Sequence, residues 1–259
     1  MQEPLHINID NRKVCWLTLN RPHCANALNG ELVQQLSAAL AGIRADSSLR
    51  VLVLSGQGEV FCSGADLQSM QQLAAADMTV NQSDAFELAL LLDDLASLPV
   101  PTLARINGPA YGGGIGLIAA CDIAIASNTA NFAFSEVRLG LVPAVIAPYV
   151  IAAIGLRQAR RWLLTGQDFD AEQAQTMGLL HQLVTADALD EAVEQQIQLL
   201  LQGGPQAQRQ AKQLFNEWLK ASPMAKQDTA ELLAEIRASS EGREGIDAFL
   251  TKRNPGWVK

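Results

Sequence analysis

Two glycine-bearing turns and one glutamate are the parts of this sequence equipped for chemistry. The turns are "FCSGADL" (Phe61 to Leu67), after the apolar run "VLVLSGQGEV", and "AYGGGIGL" (Ala110 to Leu117), after "TLARING". Glycine loses the most backbone entropy on folding, so Gly112, Gly113 and Gly114 in succession mark a close backbone approach or unusual dihedrals. They equally fit an ordinary tight strand-to-helix turn. If both turns leave a crossover sheet at the edge where open α/β sheets bind ligands, their N–H groups can converge. Converging donors at a helix start hold a developing oxyanion, and one good donor is worth about 3 kcal/mol in a transition state.

The glutamate is Glu136, in "NFAFSEVRLGLVPA" (Asn131 to Ala144), a segment otherwise apolar and rich in small residues. Desolvation there disfavours the charged carboxylate and poises it for proton transfer. The plainer alternatives are a solvent-facing side chain or a surface ion pair with Arg138.

Other chemistries lack their residues. "GGGIGL" echoes a dinucleotide fingerprint, but no acidic residue follows at the end of the next strand, and Asp122 comes too early. There is no P-loop and no GxSxG nucleophile elbow. His6, His23 and His181 are scattered without metal-ligand spacing, so no metal is expected. The net charge of −8 without a basic stripe argues against nucleic acid as a partner. Cys15, Cys24, Cys62 and Cys121 show no CxxC spacing and the first residues lack a signal-peptide pattern, which predicts reduced thiols and a cytoplasmic protein. "YVIAAIGL" is too short to span a membrane.

The elements that must carry these groups follow from the pattern. With 49% apolar and 18% charged residues in a 259-residue chain, a sizeable core is expected. "VCWLTLN", "VLVLSG", "PTLARING" and "CDIAIAS" read as short buried strands. Between the first two, Leu32, Val33, Leu36, Leu40 and Ile43 recur at a helical period. This strand, helix, strand rhythm predicts a largely parallel sheet. Residues 73–83 have weak periodicity and read as a mobile loop or lid, followed by a helix from Asp84 to Ser97. From Pro143 onward the pattern is almost wholly helical, with Pro205 and Pro223 near helix starts. The chain divides into an α/β core, residues 1 to about 200, and a helical region over 201–259.

Five segments, in order and spacing, resemble the enoyl-CoA hydratase/isomerase, or crotonase, family: "LNRPHCANALN", "VFCSGADL", "INGPAYGGGIGLIAACDIAIAS", "FSEVRLGLVP" and "EGREGIDAFLTKRNPGW". The resemblance implies the ClpP/crotonase-like α/β spiral of ββα units with a carboxyl-terminal helical trimerisation region, assembled as a homotrimer or a dimer of trimers. It implies an acyl-CoA thioester as partner and no separate cofactor, since coenzyme A belongs to the substrate. By position it assigns the oxyanion-hole N–H groups to Ala65 and Gly113 and proton transfer to Glu136. Cys24, Ala25, Ala27, Ser63, Asp66 and Leu67 match the family's CoA-binding edge. Phe249 and Lys252 match positions that reach a CoA bound to a neighbouring subunit.

One departure matters. A two-glutamate hydratase carries its first glutamate two residues after the glycine triplet, and here that residue is Gly116, which either lacks a catalytic group or makes room for substrate. Three readings remain open. The first is hydration, with the flanks of Glu136 looking like bacterial methylglutaconyl-CoA or isohexenylglutaconyl-CoA hydratases, whose extra carboxylate can help position water. The others are Δ3,Δ2-isomerisation by a single base and a non-catalytic acyl-CoA binder. Arg138 is the sequence's candidate partner for a substrate carboxylate.

Overall fold

Strand residues here alternate between two cores, which is why the runs read as continuously apolar. A computed structural model describes residues 3–220 and 226–256. The strands β1 (Leu5–Ile9), β2 (Val14–Leu19), β3 (Val51–Gly56), β4 (Thr102–Ile106), β6 (Ile123–Ser127) and β9 (Gln182–Val184) form one sheet in the order β1-β2-β3-β4-β6-β9. Only the β1–β2 pair is antiparallel; the other pairs are parallel. On β3, Leu52 and Leu54 enter the main core, while Val51 and Val53 face the other side. There they meet Leu103, Ile125 and the apolar stripe Leu189, Val193 and Ile197 of α7 (Leu189–Gln202). A parallel strand covered on both faces has no position for a polar residue to occupy at low cost.

The helix predicted after β2 is α1 (Gly30–Ala45), with all five periodic residues buried and the Asn29 side chain accepting the Leu32 N–H at 3.0 Å as N-cap. A second sheet, in the order β5-β7-β8, joins β5 (Ala110–Tyr111), β7 (Asn131–Ala133) and β8 (Phe169–Asp170). Helix α4 (Gly113–Ala120) follows β5 directly, and α5 (Ala147–Thr165) follows the segment carrying Glu136.

Two sequence expectations are corrected. Residues 73–83 are not a loop: α2 (Leu67–Ala75) and α3 (Met78–Ala96) nearly meet there. Asp77 caps α3 through the Val80 N–H, and the buried Asn81 amide donates to the carbonyls of Leu73 at 2.8 Å and Asp77 at 3.1 Å. One polar side chain thus locks the two helix ends together, an arrangement that hydrophobic periodicity does not encode. The almost wholly helical reading beyond Pro143 needs a smaller amendment, because β8 and β9 interrupt the helices. These strands have two and three residues, too few to show a period of two, and tertiary packing fixes them. Phe169 of β8 stacks on Phe132 at 5.5 Å and meets Trp162 at 4.9 Å, while β9 pairs with β6.

After α6 (Ala171–Thr176), β9 and α7, the remaining described elements are α8 (Pro205–Lys220), α9 (Lys226–Ala238) and α10 (Ser240–Leu250). Pro205 opens α8 as expected, whereas Pro223 lies outside the described residues. Lys212 of α8 is buried and donates to Asp122 at 2.6 Å, and Asp122 also accepts the Thr102 N–H at 2.7 Å. Asp122 is therefore an anchor between α8 and the sheet. Helix α9 packs along α3, and α10 packs on α2 and on the turn that begins at Glu136. No described helix is long and apolar enough to cross a membrane.

Replacing the buried Asn81 by Ala removes its amide bonds to the Leu73 and Asp77 carbonyls and is expected to cost about 1 kcal/mol. A urea titration of the variant checks this, and an unshifted midpoint would show that the amide is not what ties α2 to α3.

Candidate active site

The two glycine turns meet because each is stitched to its neighbours by main-chain hydrogen bonds. Leu28 pairs with Ala65 as an isolated parallel bridge: the Leu28 N–H donates to the Gly64 carbonyl at 2.7 Å, and the Asp66 N–H donates to the Leu28 carbonyl at 2.9 Å. In such a bridge Ala65's own N–H points away from Leu28. The Tyr111 N–H donates to the Cys62 carbonyl at 3.0 Å, which draws the second turn onto the first. A Cβ on Gly64 would lie 2.9 Å from the Tyr111 carbonyl oxygen and 3.7 Å from the Gly113 nitrogen. Gly113 is the first residue of α4, so its N–H has no intrahelical acceptor. No backbone carbonyl among the described residues accepts from Ala65 or Gly113.

The triplet has a specific purpose at each end. Gly112 has φ of 46°, and a Cβ there would come within 3.0 Å of Glu136 Oε1. Its bareness lets the carboxyl lie against the start of α4. A Cβ on Gly114 would be 2.5 Å from the Cys62 carbonyl oxygen, so this residue presses α4 onto the neighbouring turn.

Glu136 opens a short 3-10 turn, Glu136–Leu139, after β7. The Leu141 N–H closes the turn on the Glu136 carbonyl at 2.9 Å, with Gly140 in the left-handed region at φ 67°. Its Oε2 is sealed from solvent and has no hydrogen-bond partner. Burial pushes the carboxyl up to about 7, offset in part by its own N–H. Arg138 does not pair with it. That side chain is exposed and lays its stem on Gly166, which would place a Cβ 3.0 Å from Arg138 Cγ. The sequence's candidate partner for a substrate carboxylate thus points elsewhere.

A cavity of about 770 Å3 joins these groups. Its wall includes Ala65, Gly113 and Glu136, together with Cys24, Ala25, Ala27, Ser63, Asp66, Leu67 and Phe249. Two of the sequence-assigned residues are not on that wall. Lys252, at φ 56° just after α10, is exposed and outside the cavity of its own chain. Gly116 is buried behind the wall: a Cβ on it would be 2.5 Å from Ile146 Cγ2 and 3.4 Å from Leu92 Cδ1. Ile146 lines the cavity in its place. Gly116 therefore makes room for Ile146, and the neighbourhood of the absent glutamate is apolar. A second cavity, about 710 Å3 between α4, α5 and α8, contains neither glycine turn and no Glu136.

Sequence reasoning assigned Asp66 and Glu136 but missed Arg21, Asp84, Glu87 and Arg237 on the wall. Arg21 donates to Asp66 at 3.0 Å and to the Ala27 carbonyl, binding the first loop to the residue that caps α2 through the Gln68 and Ser69 N–H groups. The neighbouring Ala25 and Asn26 adopt φ of 53° and 55°, and the buried Asn26 amide holds that strained corner through the Gln57 and Val60 carbonyls. On the side of α3 and α9, Arg237 donates to Asp84 at 2.8 Å and Glu87 lies on the same wall. Arg21 stands in a motif beside a strand end and was within reach of the sequence; Arg237, on an unremarkable helix, was not. No cluster of three metal-ligating side chains exists among the described residues.

Inserting a glutamate at Gly116 alone is expected to fail. Overpacking against Ile146 costs about 1–3 kcal/mol, with no gain in crotonyl-CoA hydration. Thermal unfolding and a hydration assay check this beside a Gly116→Glu/Ile146→Ala double variant, which recovers stability. A single variant as stable as the parent would contradict the steric account.

The geometry agrees with comparisons across the whole chain. The enoyl-CoA hydratase/isomerase family model matches residues 10–259. The crystal structure of an enoyl-CoA hydratase from Mycobacterium avium superposes with a TM-score of 0.88 at 34% identity, covering 100% of each chain. The 2,3-dehydroadipyl-CoA hydratase of Escherichia coli K12 is 33% identical and covers 94% of each chain. The enoyl-CoA isomerase/hydratase fer4 of Mycosarcoma maydis is 32% identical over 92% of this chain and 90% of its own. A spiral α/β core with helices docked on it, matched along nearly its whole length by such relatives, leaves one assignment: the chain belongs to the enoyl-CoA hydratase/isomerase, or crotonase, family of enzymes.

Proposed function

We propose that this enzyme adds water across the C2–C3 double bond of an enoyl-CoA thioester with a single carboxyl group. The thioester oxygen sits between the Ala65 and Gly113 N–H groups. Glu136, as carboxylate, takes a proton from water while the water oxygen bonds to C3. The electron pair of the double bond moves onto the thioester, where the two N–H groups stabilise the enolate oxygen. Glu136 then returns the proton to C2, so one water is consumed and the enzyme is restored. The observation that carries this reading is Glu136, its Oε2 buried and unpartnered, on the wall of the cavity that also carries both free N–H groups.

The acyl group we assign is a branched, carboxylated one such as that of methylglutaconyl-CoA. A 33% identical relative named for 2,3-dehydroadipyl-CoA supports a carboxylated chain. CoA lies along Cys24, Ala25, Ala27, Ser63, Asp66 and Leu67, chiefly through main-chain contacts, and no separate cofactor takes part. We further propose a cytoplasmic homotrimer or dimer of trimers, in which Phe249 and Lys252 approach a neighbouring subunit's CoA.

A specific observation favours a second reaction at the same site. Ile146 fills the space beside Gly116 with hydrocarbon, and a lone base over a stabilised dienolate suffices to carry a proton from C2 to C4. Relative fer4 bears both names, isomerase and hydratase. Mass spectrometry after incubation with 2-enoyl-CoA and 3-enoyl-CoA thioesters separates the two. A product heavier by one water supports hydration, and an isobaric product with a moved double bond supports isomerisation.

In either reaction, Glu136→Gln is expected to lower turnover about a hundredfold or more. Because the acting form is the carboxylate, kcat/KM of the parent should rise with pH through about 7 and then level. A flat profile across that range would remove Glu136 as the base. Stability moves the other way. A carboxyl raised on folding favours the native state below its unfolded value, and that advantage is lost as pH climbs through about 7. Glu136→Gln should therefore gain on the parent in thermal unfolding from pH 5 to 8, whereas an equal gap at both pH values would contradict the buried titration.

A further inference from the structure

The cavity wall carries two guanidinium groups, and only one is placed to exchange its partner. Arg21 is committed to Asp66 and the Ala27 carbonyl, bonds on which the first loop depends. Arg237 reaches the cavity from the last turn of α9, where its side chain is 10% exposed and donates to Asp84 Oδ2 at 2.8 Å. Asp84, in α3, is 34% exposed. The cation is thus fixed and buried while its counter-ion stands partly in water, free to turn outward at little desolvation cost. Glu87 faces the same space, so the wall is closed to a second carboxylate unless Asp84 yields its place.

We infer that Arg237 is the receptor for a carboxylate at the far end of the acyl chain, and that Asp84 is the internal stand-in which neutralises it in the empty enzyme. A guanidinium offers a planar fork of donors that matches the two acceptors of a carboxylate. Neutral chains leave the Arg237–Asp84 pair intact. A chain ending in a carboxylate displaces Asp84 and takes over the fork. This rests on the acyl-CoA reading above and supplies the charge contact that Arg138 does not.

The test uses unreactive saturated thioesters, so that it does not depend on turnover. Isothermal titration would compare succinyl-, glutaryl- and adipyl-CoA with butyryl-, valeryl- and hexanoyl-CoA on the full-length protein. For the best-fitting chain length, the ratio of dicarboxylate to neutral affinity should fall about tenfold or more in Arg237→Met, the scale of a lost charged hydrogen bond. Arg237→Lys should retain part of it, and Asp84→Asn should raise it. A pair that merely clamps α9 to α3 predicts instead that both substitutions weaken all thioesters alike and lower thermal stability together. Equal losses for both series, or a lowered ratio in Asp84→Asn, overturns the assignment. Should Arg237→Met not fold, Arg237→Lys and Asp84→Asn still decide. A parent that binds none of the thioesters refutes the acyl-CoA reading itself, whereas binding with an Arg237-independent ratio refutes only this receptor.

Discussion

Main-chain hydrogen bonds among the segments at Leu28, Asp66 and Tyr111 create the donor pair, because they bring the turns together while leaving the N–H groups of Ala65 and Gly113 without a backbone acceptor. The donors are a remainder of local pairing, and so their direction is as rigid as the bridges beside them. The rest of the architecture serves that stitching. The parallel sheet brings the strand ends to one edge, Asn26 and Arg21 brace the first loop, and Gly112 and Gly114 let α4 approach without obstruction. Preorganised donors need no reorientation when charge develops, which is the main source of their catalytic value.

Against this fixed pair the protein sets a group held at an energetic disadvantage. Glu136 Oε2 has lost water and gained no partner, a debt that the packing of the surrounding turn must cover. Burial raises its pKa, and the same cavity wall carries the hydrocarbon of Ile146. Where a polar network would spread the proton over several groups, this site confines it to one. The other charges on the wall stand mostly in compensated pairs, Arg21 with Asp66 and Arg237 with Asp84, with Glu87 beside them.

Much of this was legible in the sequence because the relevant information is local. The buried strands, the periodic face of α1 and both glycine turns follow from residue type over short windows. The family motifs, read in order, brought Ala65, Gly113 and Glu136 together. What escaped depends on contacts between distant residues. The three-residue strand β9 exists because β6 offers an edge, and the lock on residues 73–83 is one amide finding carbonyls on two helices. Gly116 read as a missing function, whereas its bareness is the space taken by Ile146, thirty positions on. Arg237 and Asp84 meet across α9 and α3, and neither sequence neighbourhood marks them.

The contact of α10 with the turn after Glu136 ties the base to a distant part of the chain. A Cβ on Gly245 would lie 1.9 Å from the Leu139 carbonyl oxygen, so the backbone of α10 rests directly on that turn. The turn bearing the base is backed by α5 as well as by α10, so its geometry depends on segments far apart in sequence. Contacts of such long sequence separation form late and slowly. The base is thus steadied by a helix far along the chain, whereas the donor pair is held by segments that all precede Gly114.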